Sequence, residues 1–214
     1  GADSLVGGGG DNTVSYLQDT AGVSVDLSLG TATDGWGDGD TLSGFAHVIG
    51  SDHDDTLIGD SQDNSLWGHD GDDLLAGHEG ADYLYGGVGE DTVSYAGDPA
   101  GVTVRLYVSA DQNAETYGLA TDGGGCTDTL YGIEHVTGSD YADALYGDSH
   151  DNHISGGGGN DTIYGSAGDD IIDGGGGFNL LDYSGHGVAV SVDLDSNSMT
   201  SDDGEDEIYN IRSV

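Results

Sequence analysis

The sequence predicts an all-β chain, a right-handed parallel β-roll in two five-repeat blocks joined by strand-bearing spacers. Three observations carry that prediction. Glycine recurs every nine residues through 50–94 and again through 138–182. Each of those ten glycines is followed five residues later by Asp or Asn and seven residues later by an aliphatic side chain. The 214 residues include 42 glycines, one proline and 41 acidic residues, only six of them glutamate, a composition that disfavours helices and favours tight loops.

In chain order the period opens with a fragment, residues 1–15, in which Leu5 and Val14 stand nine apart and GGGGDNTVS closes the segment. A first spacer covers 16–49. The first block, 50–94, reads GSDHDDTLI, GDSQDNSLW, GHDGDDLLA, GHEGADYLY and GGVGEDTVS. A second spacer covers 95–137. The second block, 138–182, reads GSDYADALY, GDSHDNHIS, GGGGNDTIY, GSAGDDIID and GGGGFNLLD, and a truncated spacer covers 183–214. The sixth position is Asp55, Asn64, Asp73, Asp82, Asp91, then Asp143, Asn152, Asp161, Asp170, Asn179. The eighth is Leu57, Leu66, Leu75, Leu84, Val93, then Leu145, Ile154, Ile163, Ile172, Leu181.

Six loop residues followed by three alternating ones read as a tight turn and a short strand, with the eighth side chain inward and the seventh and ninth outward. Glycine at positions one and four is expected to supply a left-handed backbone. Two nonapeptides make one 18-residue coil, so each repeat lies about 4.8 Å from the repeat two further on, as a parallel strand. The sixth-position side chains then sort onto two edges. Asp55, Asp73 and Asp91 share one edge and Asn64 and Asp82 the other; Asp143, Asp161 and Asn179 oppose Asn152 and Asp170.

The spacers share a second pattern: Tyr16, Val23, Val25, Leu27; Tyr95, Val102, Val104, Leu106; Tyr183, Val188, Val190, Val192, Leu194. Period-two alternation makes each a half-buried strand. Val48 lies nine residues before Leu57, and Val136 nine before Leu145, so each spacer is expected to end in an extra coil that caps its roll. Ala46 and Glu134 occupy the sixth position of that coil. The tyrosines stand 79 and 88 residues apart, which makes the second spacer nine residues longer.

A formal net charge of -39, with Arg105 and Arg212 the two basic residues, excludes binding to a nucleic-acid backbone or an anionic membrane surface. No apolar run approaches the roughly 18 residues of a membrane span. The single cysteine, Cys126, forms no internal disulfide and reads as a solvated thiol. The first residues lack a basic region and an apolar signal core, which reads as a fragment or as export without a cleaved leader. Unit charges about 5 Å apart repel by about 1 kcal/mol even at the dielectric of water, so aspartates stacked at strand spacing call for a cation. Calcium suits them, taking six to eight oxygens in flexible geometry, whereas magnesium demands a stricter octahedron.

GGVGEDTVS and GGGGNDTIY match the motif G-G-x-G-x-D-x-U-x at every defined position, and on these residues the chain resembles the repeats-in-toxin (RTX) calcium-binding proteins. The resemblance covers 105 residues; His53, Gln62, Tyr141 and His150 depart from it at position four. It implies that several calcium ions are held by the sixth-position side chains named above and by carbonyls of positions two and four. Those carbonyls belong to His69 and Gly71, His78 and Gly80, Gly87 and Gly89, Gly157 and Gly159, and Ser166 and Gly168. It also implies type I secretion and ordering of the chain in the calcium-rich medium outside a bacterial cell.

No catalytic motif is present, and the expectation is a calcium-binding structural module, monomeric, in a large secreted or cell-surface protein such as an adhesin. The alternative is an accessory module of a secreted hydrolase or polysaccharide-modifying enzyme. Asp98–Pro99, a bond at which some RTX relatives cleave themselves, reads as ordinary turn chemistry. The eight histidines read as solvated loop residues rather than zinc ligands. Trp67 over Tyr85 and Tyr146 over Tyr164 are outward aromatic pairs; they read as sheet-stabilising contacts, with carbohydrate or another surface ligand as the competing reading.

Overall fold

The computed structural model describes residues 1–110 and 116–214. Among the described residues the chain forms 24 β-strands and no helix. It divides into two compact units, Gly1–Val93 with Cys126–Ile133, and Ser94–Gly125 with Glu134–Val214. Each unit is a parallel β-roll.

In the first unit Val14, Val48, Leu66, Leu84 and Leu130 stand in register along one sheet. Leu57, Leu75 and Val93 do so along the other. In the second unit the columns are Val104, Leu145, Ile163, Leu181 and Val136, Ile154, Ile172, Ile208. All of these side chains are buried, and each removal from water contributes roughly 1.5 to 3 kcal/mol. The three-residue strands alternate as the sequence requires: Leu75 is 0% exposed and its neighbour Leu74 is 39% exposed.

The spacers differ from the expected capping coil. In the first, Ser24–Asp26, Thr31–Thr33 and Gly39–Ser43 form an antiparallel meander inserted into one sheet. Its first strand pairs in parallel with Thr56–Ile58 and its third with Ser4–Val6, so it continues the sheet in both directions. Only the last strand, His47–Ile49, behaves as the expected coil, pairing Val48 with Leu66. The physical reason is a reversing turn that the nine-residue period does not reveal. Asp26 Oδ1 accepts from Ser28 Oγ (2.6 Å) and Leu29 N (2.9 Å), and Gly30 takes a left-handed φ of 66°. Ser191–Asp193, Ser198–Thr200 and Glu205–Tyr209 repeat the meander, with Asn197 at φ 56° in place of the glycine. In the second spacer the hairpin is longer, Thr103–Ala110 against Thr116–Thr121. From Val104 to Leu130 is 26 residues, against 17 from Val25 to Leu42, so the nine extra residues lengthen the hairpin and add no half-coil.

Two adjacent leucines of one strand separate core from surface. Leu75→Ala, which empties a site between Leu57 and Val93, is expected to destabilise the calcium-loaded protein by about 2 to 5 kcal/mol in urea unfolding. Leu74→Ala is expected to cost under about 1 kcal/mol.

Candidate metal centre

The repeat loops stack coil on coil. Position four is left-handed at Gly71, Gly80, Gly89, Gly159 and Gly168, with φ between 106° and 156°. Position two is left-handed at Gly87 and Gly157, and also at His69 (φ 86°) and His78 (φ 67°), where a side chain makes that conformation costly. Ser166 is not among the residues of positive φ. Position one is not left-handed either, contrary to the expectation from sequence. Its glycines are required by space, because a Cβ at Gly68, Gly86, Gly138 or Gly156 would overlap the carboxylate of Asp73, Asp91, Asp143 or Asp161.

Those carboxylates point inward and meet the next coil's backbone. The Asp55 N–H donates to Asp73 Oδ1 (2.7 Å) and the Asp73 N–H to Asp91 Oδ1 (2.9 Å). On the other edge the Asn64 N–H donates to Asp82 Oδ1 (2.8 Å). The second block repeats both ladders: Asp143 to Asp161 (3.0 Å), Asp161 to Asn179 (2.9 Å) and Asn152 to Asp170 (2.9 Å). Every predicted sixth-position residue is therefore in one of two ladders per block, on the predicted edge.

Three further ladder members come from the spacers. Asp82 N donates to Asp128 Oδ1 (3.0 Å), Asp170 N to Asp206 Oδ1 (3.1 Å) and Asp3 N to Asp40 Oδ1 (2.8 Å). Their sequence signal is GWGDGDTLS, GGGCTDTLY and SDDGEDEIY, each a nonapeptide with Asp at six and an aliphatic residue at eight. A second, exposed ladder runs in the opposite sense through position five. Asp72 N and Glu90 N donate back to Asp54 and Asp72 at 3.0 Å, and Asp169 N to Asp151 at 2.8 Å.

The second carboxylate oxygen sets the members apart. Asp55 is saturated by Val23 N (2.7 Å), Ser51 N (2.5 Å) and Ser51 Oγ (2.8 Å). Asp143 is matched by Val102 N and Ser139 in the same way. Asp170 accepts from Ser166 Oγ (2.9 Å). Asn64 and Asn152 donate their amides to the Ala46 and Glu134 carbonyls (3.1 and 2.9 Å), and Asn179 donates to Gly174 O (2.6 Å). By contrast Oδ2 of Asp73 and of Asp161 is buried without a hydrogen-bond partner. Burial pushes Asp73 up to about 7, with the charges of Asp55, Asp91 and Asp54 adding to it and the Asp55 N–H opposing. Burial likewise raises Asp161 to about 6 and Asp170 to about 7.

Main-chain oxygens lie around the same loops. The carbonyls of His69 and Gly71 lie against the α-carbons of Gly87 and Gly89, and those of Gly157 and Gly159 against Gly175 and Gly177, so that a Cβ there would overlap them. Among the described residues no three His, Cys, Asp or Glu side chains converge. A cation here would be held by one carboxylate per coil together with backbone carbonyls, an oxygen-only, irregular donor set that suits calcium. The residues fit the ion at Asp73 and Asp161. His47, His135 and His153 lie on strands and not in solvated loops as expected from the sequence, and His135 and His153, one 18-residue coil apart, are neighbours with ring centroids 6.1 Å apart.

The outward aromatics stack as expected and extend further: Trp67 on Tyr85 (5.6 Å), Tyr85 on Tyr131 (4.7 Å) and Tyr146 on Tyr164 (3.8 Å), with the Arg105 guanidinium 3.5 Å over Tyr146. Tyr85 has a ring on either side, and Tyr146 lies between Tyr164 and the Arg105 guanidinium. At Asp98 the N–H donates to Tyr95 O (3.0 Å), closing a turn before Pro99.

Two outcomes follow from this geometry. Asp73 and Asp161 bind their protons more tightly folded than unfolded, so the stability they supply is full below about pH 4 and is lost as pH rises through 6 to 7. The calcium concentration needed to fold the chain, read by far-ultraviolet circular dichroism, is therefore set by a competition in which protons at pH 5.5 partly replace the ion: in chelator the β signal is expected to be larger at pH 5.5 than at pH 8, and saturating calcium to remove that difference. Gly68→Ala is expected to weaken calcium binding at least about tenfold by isothermal titration, against no change for Gly185→Ala, whose Cβ meets nothing within 4 Å.

A search of curated proteins finds no match to the chain. The RTX calcium-binding nonapeptide repeat (4 copies) matches residues 1–17, 49–83, 67–98, 131–161 and 146–181. These stretches cover more than half of the sequence and contain all ten sixth-position residues of the two blocks, and the chain belongs to the RTX calcium-binding repeat family.

Proposed function

We propose that this chain is a calcium-triggered folding segment of a large secreted or cell-surface protein. In calcium-poor surroundings its interior coils stay unfolded; outside the cell they close around the ions and become a stiff spacer, as an adhesin requires. The observation that carries this reading is the pair of buried carboxylate oxygens on Asp73 and Asp161 that no protein donor meets. Asp73 and Asp91 with the His69 and Gly71 carbonyls would hold one ion, and Asp161 with the Gly157 and Gly159 carbonyls another. When bound, calcium neutralises carboxylates that the fold otherwise forces together. The chain's own residues do the rest: position-one glycines admit the carboxylates, and the ladder N–H groups fix one oxygen of each. We assign no catalysis to this segment. The covered ring faces favour a structural role for the aromatic columns over sugar binding.

Titration of calcium into chelated protein, followed by far-ultraviolet circular dichroism, tests the reading. A cooperative gain of β signal between roughly 0.1 and 5 mM calcium, absent with magnesium, is expected. A full β signal in chelator that calcium does not change would overturn it.

A further inference from the structure

Two ends of the carboxylate ladders, at Asp40 and Asp206, are chemically different from the interior rungs Asp73 and Asp161. At Asp40 and Asp206 the first oxygen accepts a backbone N–H as in every other rung, but the second accepts a tyrosine hydroxyl: Tyr16 to Asp40 at 3.4 Å and Tyr183 to Asp206 at 2.5 Å. Both tyrosines are buried, 6% and 8% exposed, and both belong to the spacers. Burial and the neighbouring carboxylate raise both phenols, so the proton stays on the hydroxyl and is donated. At the start of each block the serines of positions 51 and 139, together with Val23 N and Val102 N from the spacer strands, saturate Asp55 and Asp143. Asn64, Asn152 and Asn179 end their ladders with neutral amides bonded to carbonyls. Asp73 and Asp161, whose second oxygen has no such donor, lie in the block interiors.

We propose that the chain supplies its own substitutes for calcium at the ladder ends, with the Tyr16 and Tyr183 hydroxyls in the ion's place, so that the spacer meanders fold without calcium and template the metal-dependent coils. The proposal rests on the calcium-coupled folding put forward above. A tyrosine O–H satisfies one carboxylate oxygen without bringing charge and without needing a second carboxylate opposite it, which suits a rung with a neighbour on one side only. Asp73 has carboxylates on both sides, Asp55 and Asp91, and there a dication neutralises two coils at once; Asp161 has Asp143 on one side and the Asn179 amide on the other. Folding then starts from short-range hairpins that exist before the ion arrives, which removes much of the chain-ordering cost from the first binding event.

Hydrogen exchange read by mass spectrometry on the full chain, in chelator and then in calcium, separates the possibilities. In chelator, peptides within 24–43 and 191–209 are expected to exchange at least about 100-fold slower than an unstructured chain, while peptides within 68–91 and 156–165 exchange freely until calcium is added. Tyr183→Phe is expected to reduce protection of 191–209 in chelator by about tenfold and to leave 24–43 unchanged, and Tyr16→Phe to do the converse. Asp206→Asn keeps an acceptor for the hydroxyl and removes the charge, so it is expected to retain protection. Free exchange everywhere in chelator, with protection everywhere in calcium, overturns the proposal and leaves calcium-coupled folding intact. Protection everywhere in chelator overturns both. Unchanged protection in both phenylalanine variants, or equal loss in Asp206→Asn and Tyr183→Phe, overturns the role of the hydroxyls.

Discussion

The structure depends on a carboxylate buried between coils. Each interior rung places an aspartate where one oxygen is fixed by the neighbouring coil's N–H and the other must find a partner inside the protein or outside it. That requirement explains why aspartate and not glutamate fills the position: only the shorter arm keeps the charge against the backbone of its own loop. It explains glycine at position one, where any side chain would occupy the carboxylate's space. It also explains why the loops carry left-handed residues at positions two and four, since these turn successive carbonyls over the neighbouring coil. The aliphatic columns hold the strands together, but three residues per strand bury too little apolar surface to order so charged a chain by themselves.

Much of this was legible because the period is strict. The eighth-position column, the edge on which each aspartate falls and the aromatic pairs all follow from an 18-residue coil, and the structure has them in register. What escaped was set by shape rather than period. The nonapeptides holding Asp40, Asp128 and Asp206 were hidden because a reversing turn precedes them: Asp40 and Asp128 stand 37 and 46 residues from their ladder partners, out of the nine-residue register, and Asp206 returns to it only after a gap of 36. The Tyr16–Asp40 and Tyr183–Asp206 bonds span 24 and 23 residues across that turn, a pairing that no composition or spacing announces. The purpose of the first glycine was misread for a related reason: the clash it avoids exists only once the carboxylate has folded back.

Substitutions within the motif are informative in the same terms. A serine at position two, as in Ser51, Ser139 and Ser166, brings a hydroxyl to the aspartate four residues on. An asparagine at position six exchanges a charge for an amide that a carbonyl can satisfy. Departures from the repeat thus mark where protein donors satisfy a carboxylate or replace it.

The opposed senses of the two ladders have a consequence for how such chains change length. Position-six bonds run forward by 18 residues and position-five bonds run back by the same number, so each coil is both donor and acceptor to the next. Gaining or losing a multiple of 18 residues leaves every donor facing an acceptor and every aromatic in its column. A change of nine between them moves Trp67 and Tyr85 to opposite sheets. Inheritance of repeat number is expected to proceed by whole coils, and extra half-repeats to survive only in a hairpin such as 103–121, where the chain leaves the coil geometry.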